Sequence, residues 1–170
     1  NVNASSGAYY QWGRKDPFLG SSSMSKAVPA VSTGVWSVSS SYVQLLKYDP
    51  MVFYTHRDYL SNDPFWNSNK TVDDPCPSGW RVPDGGEDGI WAVAGISSNQ
   101  PLANEYPAVS FIDGYNGQLS YYGVSYYWSA TPSSAAGGIG SAHCYHFGDP
   151  ASESSINAGL AVRCQKDVQK

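Results

Sequence analysis

Between residues 109 and 164 the chain repeats one device, a short run of aromatic or alternating apolar residues followed by Gly, Asn or Ser. Runs at 109–112, 118–122, 126–130, 142–147 and 159–164 read as strands, and Tyr9-Tyr10-Gln11-Trp12-Gly13 reads as an earlier one. Asp113-Gly114-Tyr115-Asn116-Gly117 separates two of these runs as a hairpin turn. This rhythm leaves no room for a helical bundle. Long amphipathic helices draw on Lys, Glu, Ala and Leu, yet only 14% of this chain is charged, against about 25% in an average domain. Aromatic residues instead reach 14%, with 13 Tyr and 6 Trp. At 170 residues the chain is long enough for one domain with a sizeable core.

Two segments carry helical spacing. Tyr42, Val43, Leu45 and Leu46 with Pro50 as a stop predict a helix over 39–48. Asp84 is placed to cap a second over 87–96, with Ile90, Trp91, Val93 and Ala94 facing inward. Residues 18–38 and 49–75 read as irregular. The expected class is α+β: two short helices, a small antiparallel sheet and long irregular loops.

A net charge of −4 with no Lys/Arg cluster speaks against a nucleic-acid partner. No apolar run of the length a membrane span needs is present, so no membrane insertion is expected. Cys76, Cys144 and Cys164 allow at most one intramolecular disulfide. Either all three are small buried hydrophobes, or Cys76 pairs with Cys164 in an oxidising compartment and Cys144 is left free.

Trp80, Trp91 and Trp128 stand among small or β-branched neighbours and are assigned to the core. Arg81 and Arg163 fall within apolar runs, where a buried guanidinium needs an acceptor; Asp73, Asp74 or Asp84 can supply one.

Asp74-Pro75-Cys76-Pro77-Ser78-Gly79-Trp80-Arg81-Val82-Pro83 is the most distinctive stretch. With Gly7-Ala8-Tyr9-Tyr10-Gln11-Trp12-Gly13-Arg14, Tyr126-Tyr127-Trp128-Ser129-Ala130-Thr131 and Gly159-Leu160-Ala161-Val162-Arg163-Cys164, it resembles the Fibrobacter succinogenes major paralogous domain family. That family is common in surface proteins of gut Bacteroidetes. The resemblance spans nearly the whole chain and implies a C-type-lectin-like scaffold, related to formylglycine-generating enzymes and to retroelement-diversified variable domains. It further implies a single domain over 7–165, flanked by termini 1–6 and 166–170 and lacking a first strand that precedes the Tyr-Gln-Trp segment. It places the protein outside the cell or on a bacterial surface.

In such scaffolds the segment 131–157 forms the exposed binding face. The expected ligand-binding residues there are Ser141, His143, Tyr145, His146, Asp149 and Glu153, extended by Tyr115, Asn116, Tyr121 and Tyr122 of the preceding hairpin. His143 and His146 would point to opposite faces of a strand, and Cys144 with His146 gives only two ligands, so no metal is expected. Asp84-Gly85-Gly86-Glu87-Asp88-Gly89 lacks calcium-loop spacing. No Gly-x-Ser-x-Gly is present, and no cofactor or catalytic residue is expected. The expectation is a recognition module for a glycan or surface protein; the alternative is an assembly domain, for example of a pilus, completed by a neighbouring subunit or preceding domain. Asn3-Ala4-Ser5 and Asn69-Lys70-Thr71 match the glycosylation sequon.

Overall fold

The computed structural model describes residues 8–19, 30–31, 53–54, 66–96, 109–120, 125–133, 140–146 and 149–168. Twelve strands and one helix are defined among them. They are β1 (Ala8–Gln11), β2 (Phe18–Leu19), β3 (Ala30–Val31), β4 (Phe53–Tyr54), β5 (Trp80–Arg81), α1 (Ile90–Val93), β6 (Phe111–Ile112) and β7 (Leu119–Ser120). There follow β8 (Tyr126–Pro132), β9 (Ser141–His146), β10 (Glu153–Ser155), β11 (Gly159–Ala161) and β12 (Gln165–Lys166).

Eight strands form one curled sheet in the order β10-β9-β8-β11-β1-β2, with β6 attached to β11 and β7 to β6. The β8–β11 pair is parallel and its neighbours are antiparallel, so the sheet is mixed. Two strand pairs stand apart, β5–β12 antiparallel and β3–β4 parallel.

Period-two alternation sets which residues share a face of this sheet, and both faces are covered. On one face Tyr145, Tyr127, Ala161, Tyr9 and Phe18 fall in a row across five strands, because each pairs with the next. Trp91 of α1 lies over this row, with its ring centroid 5.6 Å from that of Tyr145. On the other face Trp128, Cys144 and Leu160 join Trp12, Trp66, Val82 and Ile156 in the largest core cluster. The indoles there are tied down as well as buried. Trp12 Nε1 donates to the Ser129 carbonyl at 2.9 Å, and Trp128 Nε1 donates back to the Tyr10 carbonyl at 2.7 Å. Burial on both faces makes β11 buried throughout and buries Tyr127 to Ala130 in the middle of β8, as expected for interior strands. The edge strand β10 is mostly exposed.

The α+β expectation, with two helices and a small antiparallel sheet, is overturned by this mostly stranded, mixed architecture. The expected helix over 39–48 lies outside the described residues. That over 87–96 shrinks to the four residues of α1, and of its expected inward residues Ile90 and Val93 are 39% and 77% exposed. Asp84 does not cap it; the N-cap position is Gly89, without a side-chain bond. Local packing is the reason. The chain doubles back so tightly that a Cβ on Gly89 would meet Gly85 Cα at 2.5 Å, and Gly95 leaves the helical region with φ of +65°.

Trp80 also departs from expectation, being 45% exposed. It lies on β5, whose partner β12 sets the exposed Lys166 opposite it. A two-stranded ribbon supplies no second layer for its outer face. Arg163, expected within a buried strand, is exposed just beyond the end of β11. Trp91 and Trp128 are buried as expected.

Candidate functional site

The hairpin formed by β9 and β10 carries most of the described residues of the expected binding face. Pairing sets Glu153 opposite His143 and Ser155 opposite Ser141, so these four side chains share one face. Glu153 Oε2 accepts hydrogen bonds from Ser133 Oγ at 2.8 Å and from Ser141 Oγ at 3.3 Å. Three segments thereby converge on one exposed carboxylate: the end of β8, the start of β9 and β10.

Beside this hairpin, backbone and hydroxyl groups together tie down the neighbouring segments. Gly85 N donates to Thr131 Oγ1, Ala130 N donates to the Pro83 carbonyl at 2.7 Å, and Ser129 Oγ donates to the His143 carbonyl at 2.7 Å. The loop 83–89 is thus laid along β8. A Cβ on Gly86 would lie 3.5 Å from His143 Nε2, so the imidazole is seated against that loop. His143 Nδ1 is buried and makes no hydrogen bond among the described residues.

The remaining expected residues are dispersed: Tyr145 shares the face of Ser141 and His143, but α1 covers it there, while His146 faces the other way. Tyr145 is fully buried against Trp91 and is removed from the binding face. His146 points to the face opposite His143, where it stacks on Tyr126 with centroids 4.1 Å apart and planes 14° from parallel. Asp149 is exposed at the β9–β10 turn, where its backbone pairs with that of His146 and its Oδ1 accepts from Ala151 N. Tyr115 and Asn116 sit on the tip of the β6–β7 hairpin, ordered by Asp113 Oδ1, which accepts from both of their backbone N–H groups. That tip packs against Asn157 and Ala158, not against the Glu153 cluster. Tyr121 and Tyr122 lie outside the described residues.

Cys76 and Cys164 form a disulfide, and Cys144 is free and buried. Burial pushes the Cys144 thiol up to about 12, helped by the nearby Asp149 and Glu153 charges and opposed by a hydrogen bond with Ser152. Its side chain packs in the core cluster with Trp128 and Leu160. Arg81 takes Asp84 as its partner through two hydrogen bonds, with Asp167 3.7 Å from its Nε. Asp84 holds the guanidinium above its ordinary range.

Sequence reasoning overlooked Asp74 as the centre of this corner. The carboxylate is buried; its Oδ1 accepts from Cys76 N and Lys70 Nζ, and its Oδ2 accepts from Val82 N at 2.9 Å. An acidic residue two positions before a proline-flanked cysteine was the available signal, since such a carboxylate can bond the backbone two residues on. Ser133 was also overlooked, and pairing alone could not have revealed it.

No group of three or more His, Cys, Asp or Glu placed to hold a metal occurs among the described residues. No described helix is long and apolar enough to cross a membrane. No family model, curated protein or solved structure matches the chain.

Proposed function

We propose that this protein is a recognition module working outside the cell or on a bacterial surface, and that it contacts a glycan or a surface protein through the open edge of the β9–β10 face, around Glu153. The observation that carries this reading is the exposed Glu153 carboxylate, held by the hydroxyls of Ser133 and Ser141 on the edge strand β10 beside His143. A fixed carboxylate acceptor with adjacent hydroxyls suits sugar hydroxyls or peptide N–H groups. Its surroundings favour binding over chemistry. Ser133 and Ser141 donate to a carboxylate, and Ser129 donates to a backbone carbonyl, so none of these three hydroxyls is set on an imidazole as an activated nucleophile would be. The disulfide agrees with an oxidising compartment, as does the resemblance of four segments to a surface-protein domain family.

The test is a glycan and surface-protein array probed with the folded chain, with calcium and with chelator. Specific binding is expected, and Glu153→Gln combined with Ser141→Ala should weaken it by about tenfold or more, since a hydrogen bond to a charged group contributes roughly 1.5–3 kcal/mol. A blank array from a well-folded sample would instead favour the assembly role, in which the domain serves a neighbouring subunit and has no ligand of its own.

A further inference from the structure

At the disulfide corner a pocket of about 530 Å3 opens between residues 70–72 and the turn at 78–79, with Asp167 as its third wall. We propose that this pocket binds a neutral saccharide of one or two rings, as a site separate from the β9–β10 face.

The charges of the lining argue for a neutral ligand. Lys70 reaches the pocket, but its ammonium is already committed to Asp74 Oδ1 at 3.1 Å and to the Cys76 carbonyl. Asp167 likewise stands 3.7 Å from Arg81. A free anion or cation would have to compete with a built-in counter-charge. A hydroxyl-rich ligand has no such conflict, because a hydroxyl can accept from the ammonium and donate to the carboxylate while both pairs stay intact. Ser78 adds a hydroxyl to the same wall, and Val72, 78% exposed, offers an apolar surface to the C–H face of a ring. The volume falls within the roughly 300–1,000 Å3 of small-molecule sites.

Construction of the walls argues that they are fixed before binding. Asp167 N donates to the Gly79 carbonyl at 2.9 Å, which closes the third wall onto the turn. The Cys76–Cys164 disulfide and the Asp74 carboxylate anchor the segments on either side. Little ordering entropy then remains to be lost on binding.

The proposal is tested by titrating the isotope-labelled full chain with methyl glycosides of glucose, galactose and mannose, with N-acetylglucosamine and with their disaccharides, following backbone amide shifts. Saturable shifts are expected at Ser78, Gly79 and Asp167. Ser78→Trp, which fills the pocket from an exposed position, should weaken binding at least about tenfold, and Asp167→Asn by about the same factor. Glu153→Gln should leave these shifts unchanged, which separates this site from the β9–β10 face. Should Ser78→Trp fail to fold, Val72→Asp removes the apolar wall from an equally exposed position and should weaken binding in the same direction. The proposal is overturned by an absence of saturable shifts up to about 50 mM sugar, by shifts confined to other regions, by indifference to both pocket variants, or by stronger binding of acetate or ammonium than of any sugar.

Discussion

The eight-stranded sheet and the β5–β12 ribbon are both built from short strands, yet different forces hold them. In the sheet, strands of three to seven residues at β8, β9 and β11 are sandwiched between aromatic side chains on both faces. Its cohesion is hydrophobic and dispersive, shared over many contacts. In the ribbon, two strands of two residues each cannot bury much, and Trp80 remains 45% exposed. Its shape is held by the disulfide, by the Asp74 carboxylate on two backbone N–H groups, and by Arg81 between Asp84 and Asp167. A few directional bonds thus hold a corner where packing cannot, and such a corner should fail at single residues.

The largest effect should come from the sheet. Trp128→Ala removes a fully buried indole and its hydrogen bond to Tyr10, and should cost about 3–5 kcal/mol of unfolding free energy in a denaturant titration. A loss near 1 kcal/mol would mean that the two-faced packing is not what holds the sheet.

Replacing Cys76 and Cys164 together by Ser should cost about 2–4 kcal/mol, because the disulfide closes a loop with a sequence separation of 88. This variant sharpens the comparison when read by hydrogen exchange. Amides of the ribbon should lose protection first, while those of β8, β9 and β11 retain it. Simultaneous loss everywhere would show that sheet and ribbon are one cooperative unit.

Asp74→Asn keeps the shape of the side chain but turns an acceptor into a donor facing a backbone N–H. The expected cost is about 2 kcal/mol, with ribbon amides again the first to exchange.

The smallest effect at neutral pH belongs to Cys144, and it becomes visible only in alkali. The folded thiol titrates near 12 against an ordinary value of 9.0. Between these values the unfolded chain has released its proton and the folded one has not, so stability falls as pH rises through that window. Cys144→Ala should flatten that fall, and the wild-type thiol should resist alkylation at pH 8 until denaturant is added. Rapid alkylation of the native chain would contradict the burial of β9.

Legibility followed the same division. The Asp113 hairpin and the positions of β8 and β9 could be read because each depends on residues close in sequence. For Arg81 an acidic partner could be expected, but Asp73, Asp74 and Asp84 all stood near enough, and the structure selects Asp84. The opposite orientation of His143 and His146 was likewise readable, since strand alternation is local. Tyr145 was misplaced because alternation says which residues share a face, but not whether a face is covered. Here α1 brings Trp91 over it. The α1 region misled for a related reason: helical spacing at Ile90, Trp91, Val93 and Ala94 was present, but a tight glycine-bearing turn had already used the space.

By itself the sequence determined that this chain builds short aromatic strands joined by turns, that its cysteines permit at most one bridge, and that Arg81 has acidic neighbours within reach. Those outcomes rest on backbone preference, residue count and contact order of a few residues. Only the tertiary structure decided that the sheet is mixed and covered on both faces, that Ser133 and Ser141 meet on Glu153, and that Asp167 closes a pocket against residues 70–79. Each of these joins segments distant along the chain, and what brings such segments together is the burial of the whole aromatic set rather than any property of the residues that finally touch.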